Sequence, residues 1–227
     1  MNIRANLKKI VCHLLIILSL GLIIYDIAKE KKVETTTKQL HILATTSIIA
    51  DVLKNLVQGV NNTQGQPHII IHTLMKIGVN PHAYEATIQD AKHCNKAHVI
   101  IVSGLNLEGT MGHIFANLKK LKPIYTATDA LRSEQIRKDT HFSSGVDPHF
   151  WGDPLLMHQV VSHLSTALQH IDPDHAQHYI NNATIYQNKL TTLHHYIQSK
   201  IQQLPKNKRT IICLLYTSDA ADELLGV

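Results

Sequence analysis

Aromatic residues make up only 5% of this 227-residue chain, and there is one tryptophan. Cysteine is scarce too, with three copies: Cys12, Cys94 and Cys213. Their separation predicts no internal disulfide and excludes a zinc-finger spacing. No run of Lys and Arg interleaved with aromatics is present, so the formal charge of +5 reads as a solvated basic surface. That leaves no footprint for nucleic acid. No His-Glu-x-x-His pairing occurs, which removes the commonest zinc-hydrolase signature. What is present is an ordinary apolar fraction of 44%, enough for a sizeable core in one large domain or two small ones. Histidine is abundant at 17 copies. Imidazole is the commonest metal ligand, but most of these residues lie on polar stretches and read as solvated surface.

The first residues stand apart from the fold. Arg4, Lys8 and Lys9 precede a nearly unbroken apolar run from Ile10 to Tyr25. That is the layout of an export signal. The run is longer than a typical signal core and shorter than a full membrane span. Asp26-Ile27-Ala28 is a poor cleavage site, so an uncleaved transmembrane anchor is the alternative. Cys12 lies inside the run, too early for lipid attachment. Both readings place the rest of the chain outside the cytoplasm, with membrane contact only through residues 10–25. Residues 29–39 form a polar linker without apolar periodicity.

From residue 40 the pattern alternates strand and helix. Leu40–Ala44 reads as a strand, followed by a helix from a Ser47 cap to about Gln58. His68–Leu74 reads as a second strand buried on both faces. Thr87–Ala97 suits a helix, His98–Val102 a buried strand, Met111–Lys120 a helix and Pro123–Thr126 a fourth strand. This alternation predicts a parallel α/β lobe. Residues 131–146 read as an irregular surface loop. Asp153-Pro154 starts one helix. Asp172-Pro173 starts another that runs to about Leu204, ~45 Å at 1.5 Å per residue. That length suits a spine joining two lobes. Pro205 ends it, and Arg209–Ile212 begins a further strand.

Two motifs carry the chemistry: Asn80-Pro81-His82-Ala83-Tyr84-Glu85 and Asp147-Pro148-His149-Phe150-Trp151-Gly152-Asp153. Proline fixes the backbone before each histidine and reduces the entropy lost on ordering it. Asp147, Glu85 or Asp153 can accept from the ring nitrogen that does not bind metal. The neighbouring aromatics can exclude water. His82 follows the second strand and His149 follows the fourth. Ligands of parallel sheets gather at the carboxyl ends of strands, so the motifs can meet at one rim. Two imidazoles do not close a metal site, and at least one further ligand must come from elsewhere.

In this order the motifs resemble the metal-receptor family of ABC uptake transporters for zinc and manganese. The likeness runs from about Leu40 to Ile212. It includes Thr45-Thr46-Ser47-Ile48-Ile49-Ala50-Asp51, Gly78-Val79-Asn80-Pro81-His82, Gly104-Leu105-Asn106-Leu107-Glu108 and the Asp147–Pro154 block. The resemblance implies two α/β lobes joined by a rigid helix, with metal in the cleft between them. It implies that His82 and His149 are the two ligands of the N-terminal lobe. It implies zinc or manganese as the transported ligand, a membrane permease as partner, a monomer, and no enzymatic activity. The chain departs from the family at Gly152, Ala86 and Ile88, and a His-rich loop is missing before Asp147, where only His141 stands. Other roles remain open at this point: a metal-binding surface adhesin, or a zinc-dependent hydrolase with Glu85 as base.

In the family, a strand like Arg209–Ile212 leads into Thr-Ser-His. Here Cys213-Leu214-Leu215-Tyr216-Thr217-Ser218-Asp219-Ala220-Ala221-Asp222-Glu223 follows. This string is the translation of a transposase adaptor used in sequencing libraries. The expectation is that the gene's own sequence stops near Ile212, and codons under 213–227 that differ from the adaptor would end it. The expected organisation is therefore an export signal or anchor (1–28), the linker (29–39), an N-terminal metal-binding lobe (40–172), a long linking helix (173–205), the start of a C-terminal lobe (206–212) and an adaptor-derived tail (213–227). With the second lobe largely missing, this chain is expected to bind metal weakly. The helix stripe of Ile185, Leu190, Leu193 and Ile197 is expected to be partly exposed.

Overall fold

A computed structural model of the chain describes residues 18–22, 39–142 and 144–209. Residues 18–22 are helical. The rest of the 10–25 apolar run, the linker up to residue 38, residues 210–212 and the 213–227 tail lie outside the described residues. Among the described residues, no helix is long and apolar enough to cross a membrane.

Leu40–Thr46 (β1) is buried from Ile42 to Thr46, because this strand is covered on both faces. Helix Ser47–Leu56 (α1) follows at once. Its cap is Thr46 rather than the expected Ser47: the Thr46 hydroxyl accepts from the Ile49 amide at 3.3 Å. Ile69–Met75 (β2) pairs in parallel with β1. Ile88–Lys96 (α2) starts from a Thr87–Asp90 capping box. Val99–Val102 (β3) is buried at every position. Gly112–Leu118 (α3) and Ile124–Thr126 (β4) complete the alternation.

The four strands pair in parallel, in the order β2-β1-β3-β4. β2 is thus an edge strand, not the doubly buried one its composition suggests. Ile70 and Ile71 are half-buried and His72 is exposed. A run of apolar residues cannot distinguish an edge from a centre, because that depends on which strands pair.

Side chains alternate across the sheet. Ile42, Ala44 and Ile101 face a core with α1 and the two later helices, while Leu43, Ile100 and Val102 face α2 and α3 through Cys94, Met111 and Phe115. Pro154–Ile171 (α4) begins on an Asp153 cap that accepts from the Leu155 amide at 2.8 Å. It buries Val160, Val161, Leu164 and Leu168. A 3₁₀ turn at Pro173–His175 leads into Ala176–Gln202 (α5), 27 residues long.

The first half of α5 packs on the lobe through Tyr179, Ala183 and Leu190. The Asn182 amide donates to the carbonyls of Leu56 and Gln58, capping the end of α1. Beyond Leu190 no residue of the helix is buried. Ile185, Leu193 and Ile197 are exposed as expected, but Leu190 belongs to the core instead. Arg209, expected to open a strand, follows the 3₁₀ turn Lys206–Lys208.

Candidate metal centre

The two proline–histidine motifs converge. His82 lies seven residues past the end of β2, and His149 lies on the loop between β4 and α4, so both occupy the carboxyl edge of the sheet. Their Nε2 atoms are 3.2 Å apart. Two nitrogens bound to one tetrahedral ion at 2.0–2.1 Å stand ~3.3 Å from each other, so the spacing suits one shared ion.

Each loop is built alike. The Asn80 side-chain oxygen accepts from the His82 amide at 3.0 Å, and the Asp147 carboxylate accepts from the His149 amide at 2.9 Å. These are turns closed by the residue two positions back, with the intervening proline holding the chain in place. Asp147 does one thing more: its Oδ1 lies 2.6 Å from His149 Nδ1. Of the three acceptors the sequence offered, Asp147 is the one that orients the ring. Asp153 caps α4, and Glu85 is exposed. A His149 that donates from Nδ1 keeps a lone pair on Nε2, the nitrogen facing His82.

Aromatic rings surround the pair. Trp151 meets His149 edge-on, with ring centroids 5.1 Å apart. Phe142 was not foreseen. It stacks on His82 and meets His149 edge-on, 5.4 Å from each. Its signal was a lone phenylalanine in an otherwise polar loop. Phe150 is buried in the core and anchors the second motif. His141, the single histidine expected in that loop, lines the same cavity as His82, Asn80 and Phe142.

Neighbouring loops hold the first motif. Thr110 donates to the Tyr84 carbonyl at 2.5 Å, and the Tyr84 hydroxyl donates to Asp90 at 2.7 Å. Burial, with Asp90 alongside, pushes the Tyr84 phenol up to about 12. Burial alone would raise the Asp90 carboxyl, but hydrogen bonds from Thr87 and Tyr84 outweigh it and hold the group below its ordinary range.

The loop after β3 lines the same cavity through Leu105, Asn106 and Leu107. Glu108, only 5% exposed, accepts from Thr45 Oγ1 at 2.5 Å and from the amides of Ser103 and Gly104 at 2.7 and 3.3 Å. This loop passes through positive φ at Gly104, Leu105 and Asn106. A methyl on Gly104 would lie 2.1 Å from Thr128 Oγ1, so only glycine fits there.

Several known proteins are similar to this chain. The metal ABC transporter substrate-binding lipoprotein SloC of Streptococcus mutans is 29% identical over 228 residues, 95% of this chain and 70% of that protein. The manganese-binding lipoprotein MntA of Bacillus subtilis is 30% identical over 79% of this chain and 56% of its own length. Among solved structures, the periplasmic zinc-binding protein TroA from Treponema pallidum superposes with a TM-score of 0.66 at 28% identity, over 74% of this chain and 57% of that one. The manganese-bound periplasmic metal-binding protein from Candidatus Liberibacter asiaticus gives 0.65 at 28% identity, over 80% and 65%. The chain thus spans between just over half and about two thirds of most of these relatives. Its residues 42–216 match the family profile described as zinc-uptake complex component A, periplasmic, and the chain belongs to that family.

Proposed function

We propose that this chain supplies the N-terminal metal-binding lobe of a receptor that captures a divalent transition metal, zinc or manganese, outside the cytoplasm. The receptor hands the ion to the membrane permease of an ABC uptake transporter. The observation that carries this reading is the 3.2 Å approach of His82 Nε2 to His149 Nε2 from two separate loops at one edge of the sheet. Relatives named as manganese-binding and zinc-binding proteins support it.

His82 and His149 are the two ligands from this lobe, and groups outside the two motifs complete the coordination sphere. The ion is cargo rather than a catalyst, so the protein is a receptor and not an enzyme. Glu85, the base a hydrolase would need, is exposed, and it is not the group that orients His149. The receptor acts as a monomer in the periplasm or at the extracytoplasmic face, and residues 10–25 are its only contact with the membrane.

Zinc and manganese titrations of the chain test the reading. His82→Ala and His149→Ala should each abolish binding at the cleft. Unchanged affinity in either variant would overturn it.

A further inference from the structure

A second set of metal-ligating side chains lies at the opposite edge of the sheet. His68 immediately precedes β2, while His82 follows it; a seven-residue strand separates them, ~20 Å of rise. Asp172 ends α4, while His149 lies just before it; those 18 residues span ~27 Å. Two elements therefore place this set well away from the cleft.

The local sequence builds it. Asp172 immediately precedes the 3₁₀ turn Pro173–His175, and its carbonyl accepts from the His175 amide at 3.4 Å. Residues three apart eclipse each other in a 3₁₀ turn, so Asp172 and His175 share one side. His175 Nδ1 lies 2.9 Å from Asp172 Oδ2. His68 arrives from over a hundred residues earlier. Its amide donates to the Val60 carbonyl at 3.0 Å, and its carbonyl accepts from the Leu40 amide at 2.9 Å. That fixed backbone directs His68 Nε2 to 3.5 Å from the same Asp172 oxygen.

We infer that His68, Asp172 and His175 form a second binding site for a divalent transition metal of the zinc class, distinct from the cleft. Two imidazole nitrogens and one carboxylate oxygen are a donor set suited to such ions. All three ligand atoms lie within 4.8 Å of one another. Ligand atoms around a tetrahedral ion stand ~3.3 Å apart, so a small rotation of the two rings closes the set. The rings can rotate, because their side chains keep 23% and 26% of their surface exposed. The carboxylate is held in place: Asp172 is 8% exposed, and the buried Tyr179 hydroxyl donates to its Oδ2 at 2.5 Å. That hydroxyl does for Asp172 what an outer partner does for a ligating carboxylate. Three protein ligands leave a fourth position for water. An ion here links the start of β2 to the corner between α4 and α5, and so stabilises the lobe without being cargo.

The test uses zinc alone on a chain carrying His82→Ala and His149→Ala, which removes the cleft ligands. Calorimetry should still register one ion, and its addition should raise the Tm. Side-chain nitrogen NMR should show zinc at His68 Nε2 and His175 Nδ1. Adding His175→Ala should remove the ion, whereas adding His72→Ala should not; His72 belongs to a separate pair on β1 and β2, its Nε2 lying 2.8 Å from His41 Nδ1. No zinc binding by the double variant would overturn the inference. So would residual binding that depends on His72, or resonances of His68 and His175 that ignore the metal. Loss of the cleft ion with this ion retained leaves the inference standing even if the transport reading fails.

Discussion

Asp147→Asn isolates one interaction in the cleft. Asp147 makes two contacts through one oxygen, to the His149 amide at 2.9 Å and to His149 Nδ1 at 2.6 Å. The equivalent residue in the first motif is already an asparagine: Asn80 closes the same turn on the His82 amide at 3.0 Å. The protein itself thus shows that asparagine supports this loop shape. Asp147→Asn should preserve the turn and remove only the charge on the acceptor facing the imidazole. A hydrogen bond to a charged group contributes roughly 1.5–3 kcal/mol, against about 0.5–1.5 for a neutral one. The difference, roughly 1–1.5 kcal/mol, corresponds to about five- to tenfold in affinity. Asp147→Ala removes turn and orienter together and should approach the ~100-fold end of what such outer partners contribute. Zinc titration against a competing chelator reads both values, and far-UV circular dichroism checks the fold. An Asp147→Asn chain that binds as well as the parent would refute the orienting role. One that binds as poorly as His149→Ala would show that the turn, not the ring contact, needs the carboxylate.

Three further outcomes follow from the same geometry. Glu108→Ala leaves the Gly104 amide without its acceptor and takes the shortest bond from the Thr45 hydroxyl and the Ser103 amide, which keep only the longer ones to the Ile101 carbonyl and to Thr45 Oγ1; it should cost about 2–3 kcal/mol by urea unfolding, while Glu108→Gln, which keeps an acceptor, should cost less, and equal losses would contradict the assignment. Gly104→Ala places a methyl 2.1 Å from Thr128 Oγ1 at a φ of +99° and should destabilise the lobe by more than ~1 kcal/mol, with a Tm within error of the parent as the refuting result. Although the ring is exposed, partial loss of hydration at the sheet edge, aided by the neighbouring His41, His93 and Lys96, holds the His72 imidazole below its ordinary 6.5. The unfolded chain therefore binds a proton there more readily than the folded one below that value, and stability present above pH 6.5 is lost as pH falls through the folded value. The fall in Tm from about pH 7 to about pH 5 should be smaller in His72→Asn, and equal falls would remove His72 as the source.

Much of the lobe was legible because its signals are local. Continuous apolar runs marked β1 and β3, and Asp153-Pro154 marked the start of α4 with its cap. The meeting of His82 and His149 was legible for a more general reason: in a parallel sheet, the loops after the strands share an edge. What the sequence hid depends on which elements pair. β2 looks like a central strand in composition but lies at the edge, so His72 faces solvent. Leu190 looks like part of the same helix stripe as Ile185 and Leu193, yet it joins the main core while the others stay exposed. Phe142 reads as one residue of a polar loop until that loop folds over the two imidazoles. The short step from Thr46 to Ser47 as the cap of α1 shows how two adjacent hydroxyl residues are equivalent on paper and not in space. Asp172 and His68 share no local signal at all.

On the proposed function, one ion joins His82 and His149 through their Nε2 atoms. Side-chain nitrogen NMR of the chain during a zinc titration tests it directly. The Nε2 resonances of both rings should shift together at one stoichiometry, while the proton on His149 Nδ1 persists, donated to Asp147. A metal that engages only one of the two rings, or that displaces the Nδ1 proton of His149, would contradict it.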